Sequence, residues 1–142
     1  MTTGIDALQT TLAAEHAAVF VFAALGGRAS ALPPSPMRSA LDAAYAVHLE
    51  RREQLRTMIT ADGGDPVASE AAYRLPTPLA TAEQIAAEAL RVERACVTTY
   101  AALVAATTDA ERRWAVDALV STAVGEAAFG GSPEALPGLG TA

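Results

Sequence analysis

The chain contains no lysine; its 10 basic residues are all arginine, a bias that codon usage explains as readily as function. Cysteine occurs once, as Cys96, which excludes an intramolecular disulfide and leaves no mark of an oxidising compartment. Charged residues make up only 18% of the chain, against roughly a quarter in ordinary soluble domains. The net charge is −6 and there is no basic run, which argues against a nucleic-acid partner. Long apolar runs are missing too. The longest, Ala17 to Leu25, falls well short of the roughly 20 residues a membrane span needs. No basic stretch followed by an apolar one opens the chain, so no signal peptide is expected. Segments with period-two alternation between turn residues, phosphate-binding glycine loops and nucleophile elbows are all absent from the pattern. These absences describe a soluble, cytoplasmic protein with no membrane and no nucleic acid among its partners.

What is present is helical. The 142 residues suit a single domain with a real core, and hydrophobic residues reach 51%, dominated by alanine. A surface so poor in charge points to coverage by another subunit, so a homodimer, or another protein partner, is expected. Periodicity predicts four helices, over about 5–26, 36–62, 82–106 and 109–129. Gly26-Gly27 stops the first, Ser35 and Pro36 start the second, and Thr81 to Gln84 reads as a capping box for the third. Thr108 to Glu111 reads as another for the fourth. A tail at 131–142 should lie extended on the surface.

Loop lengths choose the topology. Helices one and two, and helices three and four, are joined by short links and should form antiparallel hairpins. Between the hairpins lie about 17 residues rich in Gly, Pro and Ser, at about 63–80. Extended, they reach about 55 Å, enough to travel the roughly 37 Å of a 25-residue helix. The fold class expected is all-α: a ferritin-like four-helix bundle with one long crossover between helices 2 and 3. An up-down-up-down bundle with a slack loop is the alternative.

Three polar residues interrupt the apolar stripes. Glu15 shares its direction with Leu8 and Phe22, His48 with Leu41 and Leu55, and Glu93 with Ala86 and Tyr100. All lie near mid-helix, so a four-helix bundle brings them to similar height. A buried carboxylate costs several kcal/mol unless paired, hydrogen-bonded or metal-bound. Carboxylates with an imidazole suit one iron, manganese or zinc ion, which makes Glu15, His48 and Glu93 candidate ligands. The metal-free reading is equally concrete: Arg52, one turn after His48, neutralises a carboxylate and the network fixes helix register. Tyr45 is expected to set its hydroxyl on this polar group, and His16 to flank it. Cys96 reads as a small core residue, Glu126 as too near a helix end to join, and Asp117 as outward-facing. A cleft for a small apolar ligand is disfavoured, since alanine-rich helices pack closely.

The stretches Leu12-Ala-Ala-Glu15-His16-Ala-Ala-Val-Phe20, His48 with Arg51-Arg52-Glu53, and Val92-Glu93-Arg94-Ala-Cys96 resemble an actinobacterial ferritin-like domain family of unknown function. The ending, Arg112-Arg113 through Phe129 and then Leu136-Pro137-Gly138-Leu139, is similar as well. The resemblance covers essentially the whole chain and implies a ferritin-like bundle without an assigned activity. Di-iron relatives carry Glu on two helices and Glu-x-x-His on the other two. Here Glu15 and Glu93 match the lone glutamates and His48 matches one histidine, but Tyr45 stands where its glutamate belongs. Helix four, reading Ala118-Leu-Val-Ser-Thr122 at mid-height, offers no ligand. The resemblance thus implies a degenerate centre, in a structural or interaction module or a mononuclear metal protein with redox-type chemistry. An all-round apolar helix four, from Ala115 to Val124, reads as buried on several sides.

Overall fold

The computed structural model describes residues 2–140. Among them are four α-helices and no strand: α1 (Gly4–Ala29), α2 (Pro36–Ala61), α3 (Ala82–Ala106) and α4 (Asp109–Gly125), with a 3₁₀ turn at Glu126–Phe129. Residues 141 and 142 of the expected tail lie outside the described residues.

Local chemistry accounts for the ends. α1 opens on a capping box in which Thr3 and Asp6 satisfy each other's backbone amides. It runs through Gly26-Gly27 to Ala29, because neighbouring Leu25 and Ala29 are held in the core and glycine alone does not unwind a packed helix. The predicted box at Thr81 and Gln84 forms in full. The one at Thr108 does not: its side chain caps nothing, and Asp109 takes a left-handed backbone with φ of 51°.

The crossover travels the length of α1. Gln9 holds its start, donating to the Asp65 carbonyl at 2.6 Å and accepting from the Val67 amide at 2.8 Å. Further along, the His16 ring meets the Val67 carbonyl at 2.9 Å and Phe20 packs on Tyr73. Leu79 then enters the core beside Ala29. At the entry to this segment a Cβ on Gly64 would fall 2.6 Å from the end of the Ile5 side chain, which would have to move to admit it. α3 consequently starts beside the C-terminal end of α1 and returns to its N-terminus, where Ala106 and Thr107 approach Gly4.

α1 packs against α2 and α3, and α3 against α4, whereas the α2 and α4 backbones stand further apart. Side chains bridge that seam. Trp114 Nε1 donates to Gln54 at 2.7 Å, and Arg51 reaches across to Ser121 and Thr122. By length and composition α1 could cross a membrane, but half of its apolar window is buried within the bundle. The tail turns back at Gly138, where φ is 81° and a Cβ would lie 2.7 Å from the Val97 carbonyl oxygen of α3.

Candidate functional site

The heart of the polar centre takes one side chain from each of three helices at mid-bundle. Glu15 of α1, His48 of α2 and Glu93 of α3 are all buried, and they meet. His48 Nδ1 lies 2.6 Å from Glu15 Oε2, and its Nε2 lies 2.6 Å from Glu93 Oε1. The ring is clamped from its face by Phe22, nearly parallel at 5.2 Å between centroids. Burial pulls the imidazolium's pKa down, but the hydrogen bonds to Glu15 and then Glu93 outweigh it and raise the value from 6.5 to about 9. At neutral pH the ring is therefore charged and both N–H groups donate.

The network continues through α3 to α4. The Tyr100 hydroxyl donates to Glu15 Oε1 and accepts from Arg51 at 3.1 Å. The same guanidinium donates to Thr122 Oγ1 at 2.7 Å and to Ser121 Oγ at 2.6 Å. Its plane sits over the Tyr100 ring, 5.2 Å from the centroid. Burial, with the Glu15 charge next, raises the Tyr100 pKa well above its ordinary value, so the phenol keeps its proton and can donate it as a hydrogen bond. Two carboxylates, one imidazolium and one guanidinium make a formally neutral set, in which the guanidinium meets Glu15 only through the Tyr100 hydroxyl.

Cys96 belongs to this centre, which its lone occurrence did not reveal. One turn after Glu93 and one before Tyr100, it places Sγ so that the ligand atoms of Glu15, His48 and Cys96 lie within 4.8 Å of one another. The spacing of 93, 96 and 100 along one face of α3 was the available signal. Burial, then the Glu15 and Glu93 charges, push the thiol well above its usual pKa, so it is protonated at neutral pH. This buried Glu–His–Cys group could hold one metal ion. The donors do not fit a pair of metal ions. α4 presents only Ala118, Ser121 and Thr122 at this level, and the Arg51 guanidinium fills the space before them.

Three expected members stand elsewhere. Arg52 points to the edge of the bundle, 27% exposed, and bonds Glu53 at 3.0 Å; Arg51, not Arg52, is the arginine of the centre. Tyr45 is 36% exposed and none of the cluster's hydrogen bonds involves it. His16 is buried, but its Nε2 faces the Val67 carbonyl of the crossover and its Nδ1 has no partner among the described residues. Both α2 residues lie on the side of His48 that turns toward solvent. Glu126 is buried and pairs with Arg94 at 3.3 Å, away from the centre.

Compared with known proteins, residues 7–141 match the family model described as a domain of unknown function (DUF4439). The chain belongs to this family. A crystal structure of a conserved hypothetical protein from Mycobacterium tuberculosis superposes with a TM-score of 0.77 at 30% sequence identity, covering 87% of this chain and 92% of that one. Among curated proteins, none matches the sequence.

Proposed function

For this member of the family, we propose a ferritin-like bundle in which an organic ion cluster stands where di-metal relatives keep their ions, and a role as a structural or interaction module in the cytoplasm. The observation that carries the reading is the engagement of both His48 nitrogens by carboxylates at 2.6 Å. With the ring protonated, neither nitrogen has a lone pair to offer a metal. The crossover running along α1 and the antiparallel hairpins support the ferritin-like arrangement. A lone buried thiol suits a reducing compartment. The test is metal analysis of protein expressed with iron, manganese and zinc available, beside a Glu15→Ala/His48→Ala double variant. The proposal expects no stoichiometric metal in either, and near-stoichiometric metal in the parent alone would overturn it.

The interaction surface we propose is α4, and the occupant a second copy of the chain. Helix four is not buried on several sides as its composition suggested: Val116, Val120 and Val124 are 41%, 52% and 73% exposed. Their four-residue spacing is symmetric about Val120, so a two-fold axis there would set Val116 of one copy against Val124 of the other. Beside this stripe an apolar hollow of about 500 Å³, bounded by Leu119, Val124 and Pro133, offers room for the partner's side chains.

A second reading is favoured by Cys96. One iron, manganese or zinc ion on Glu15, His48 and Cys96, with Glu93 adjacent, would displace protons from the ring and the thiol. The thiol favours zinc among these. The same metal analysis decides between the two readings.

A further inference from the structure

The seam between α2 and α4 is open, and an unusual charge lies at its floor. Arg51 is only 8% exposed, yet all its hydrogen-bond partners are neutral: the Tyr100 phenol, the Ser121 and Thr122 hydroxyls and the Ala118 carbonyl. A buried guanidinium ordinarily faces a carboxylate or phosphate directly. Here the carboxylate that its hydrogen bonds lead to, Glu15, is reached only through the Tyr100 hydroxyl. Both His48 nitrogens are spent on carboxylates.

Above this floor is a cavity of about 250 Å³, smaller than the roughly 300–1,000 Å³ of drug-sized sites. Arg51, Ser121 and Thr122 form its polar lining together with His48 and Glu93. Ala44, Val47 and Phe129 make its walls, and Gly125 leaves the α4 side open, with nothing within 4 Å of where a Cβ would stand. The two hydroxyls accept from Arg51 and keep their own protons for a further acceptor. One cation and two hydroxyl donors therefore converge beneath an apolar shaft.

We propose that the α2–α4 cavity binds a small monocarboxylate with a short unbranched apolar tail, its carboxylate on Arg51, Ser121 and Thr122 and its tail against Val47 and Phe129. A monoanion suits the site better than a dianionic phosphate, because Glu93 also lines the cavity and repels a second charge. The binding goes beyond the scaffold role and is independent of whether the centre ever holds a metal.

The experiment is NMR titration of the intact protein with hexanoate, hexanol and hexylamine. Hexanoate should give saturable shifts at Arg51, Ser121 and Val47, with the alcohol and the amine binding at least about tenfold more weakly. Arg51→Gln should abolish the effect, but it also disturbs the centre. Ala44→Leu is therefore the second variant: it fills the shaft from the wall, and should weaken hexanoate by about tenfold or more while the protein stays folded. No saturable shift with hexanoate, equal binding of hexylamine or hexanol, or unchanged binding in folded Ala44→Leu would each overturn the proposal.

Discussion

His48 Nδ1 and Glu15 Oε2 face each other at 2.6 Å across the α1–α2 interface, both buried. Glu93 mirrors this contact on the ring's other nitrogen, so the imidazolium is the hub that lets two carboxylates share the interior. Removing the hub alone leaves two buried carboxylates facing each other. We therefore expect His48→Leu to cost about 3–5 kcal/mol in chemical denaturation. Replacing all three groups together, by Glu15→Leu, His48→Leu and Glu93→Leu, should cost less than His48→Leu alone, since the two buried carboxylates that would face each other are gone and only Arg51 stays charged. Equal stability of His48→Leu and the parent would show that the ring carries no charge.

The pH dependence has a definite sign. The folded-state pKa of His48 is raised, to about 9 from 6.5. A raised pKa means the folded state holds its proton more tightly, so this contribution is complete below about 6.5 and is lost as pH climbs through about 9. Its size is on the order of 3 kcal/mol. Thermal unfolding between those limits should show a falling Tm in the parent and a much flatter profile in His48→Leu. A rising Tm over this window would contradict the assignment.

Arg51 and Arg52 are neighbours in sequence with opposite expected consequences. Arg51→Leu strands the Ser121, Thr122 and Tyr100 hydroxyls and breaks the α2–α4 bridge, for an expected loss of about 2–4 kcal/mol. Arg52→Leu removes one exposed pair with Glu53 and should stay within about 0.5 kcal/mol. Parallel urea titrations of the two variants check the contrast, and equal losses would count against it.

The α4 stripe gives an assembly prediction. Val120→Glu places like charges opposite each other at the proposed two-fold axis, so sedimentation should show a dimer for the parent and a monomer for the variant, with unchanged helix content. A parent that sediments as a monomer at high concentration contradicts the interface.

The sequence made much of this legible, for identifiable reasons. Glu15, His48 and Glu93 interrupt strong apolar stripes at matching heights, and a helix leaves a mid-stripe side chain nowhere to go but inward. The length of the segment between α2 and α3 showed that it has the reach to run along the bundle. Arg51 was not, because angular distance from His48 does not say which neighbour lies on which side. Arg52 and Tyr45 stand about 40° and 60° from His48 in one direction and Arg51 about 60° in the other. Only the second direction leads to α3 and α4; the first leads to solvent. Cys96 was passed over as a small apolar residue, though it shares a face with Glu93 and Tyr100. Helix four's alanine and valine content suggested burial, but composition does not tell a core from an interaction face.

The most direct test of the central claim is an NMR pH titration of the His48 side-chain nitrogens in the untreated protein. The account predicts an imidazolium with both nitrogens protonated at neutral pH, losing a proton only near pH 9. A ring that titrates near its ordinary value of 6.5, or that carries one unprotonated, metal-bound nitrogen at neutral pH, would contradict it.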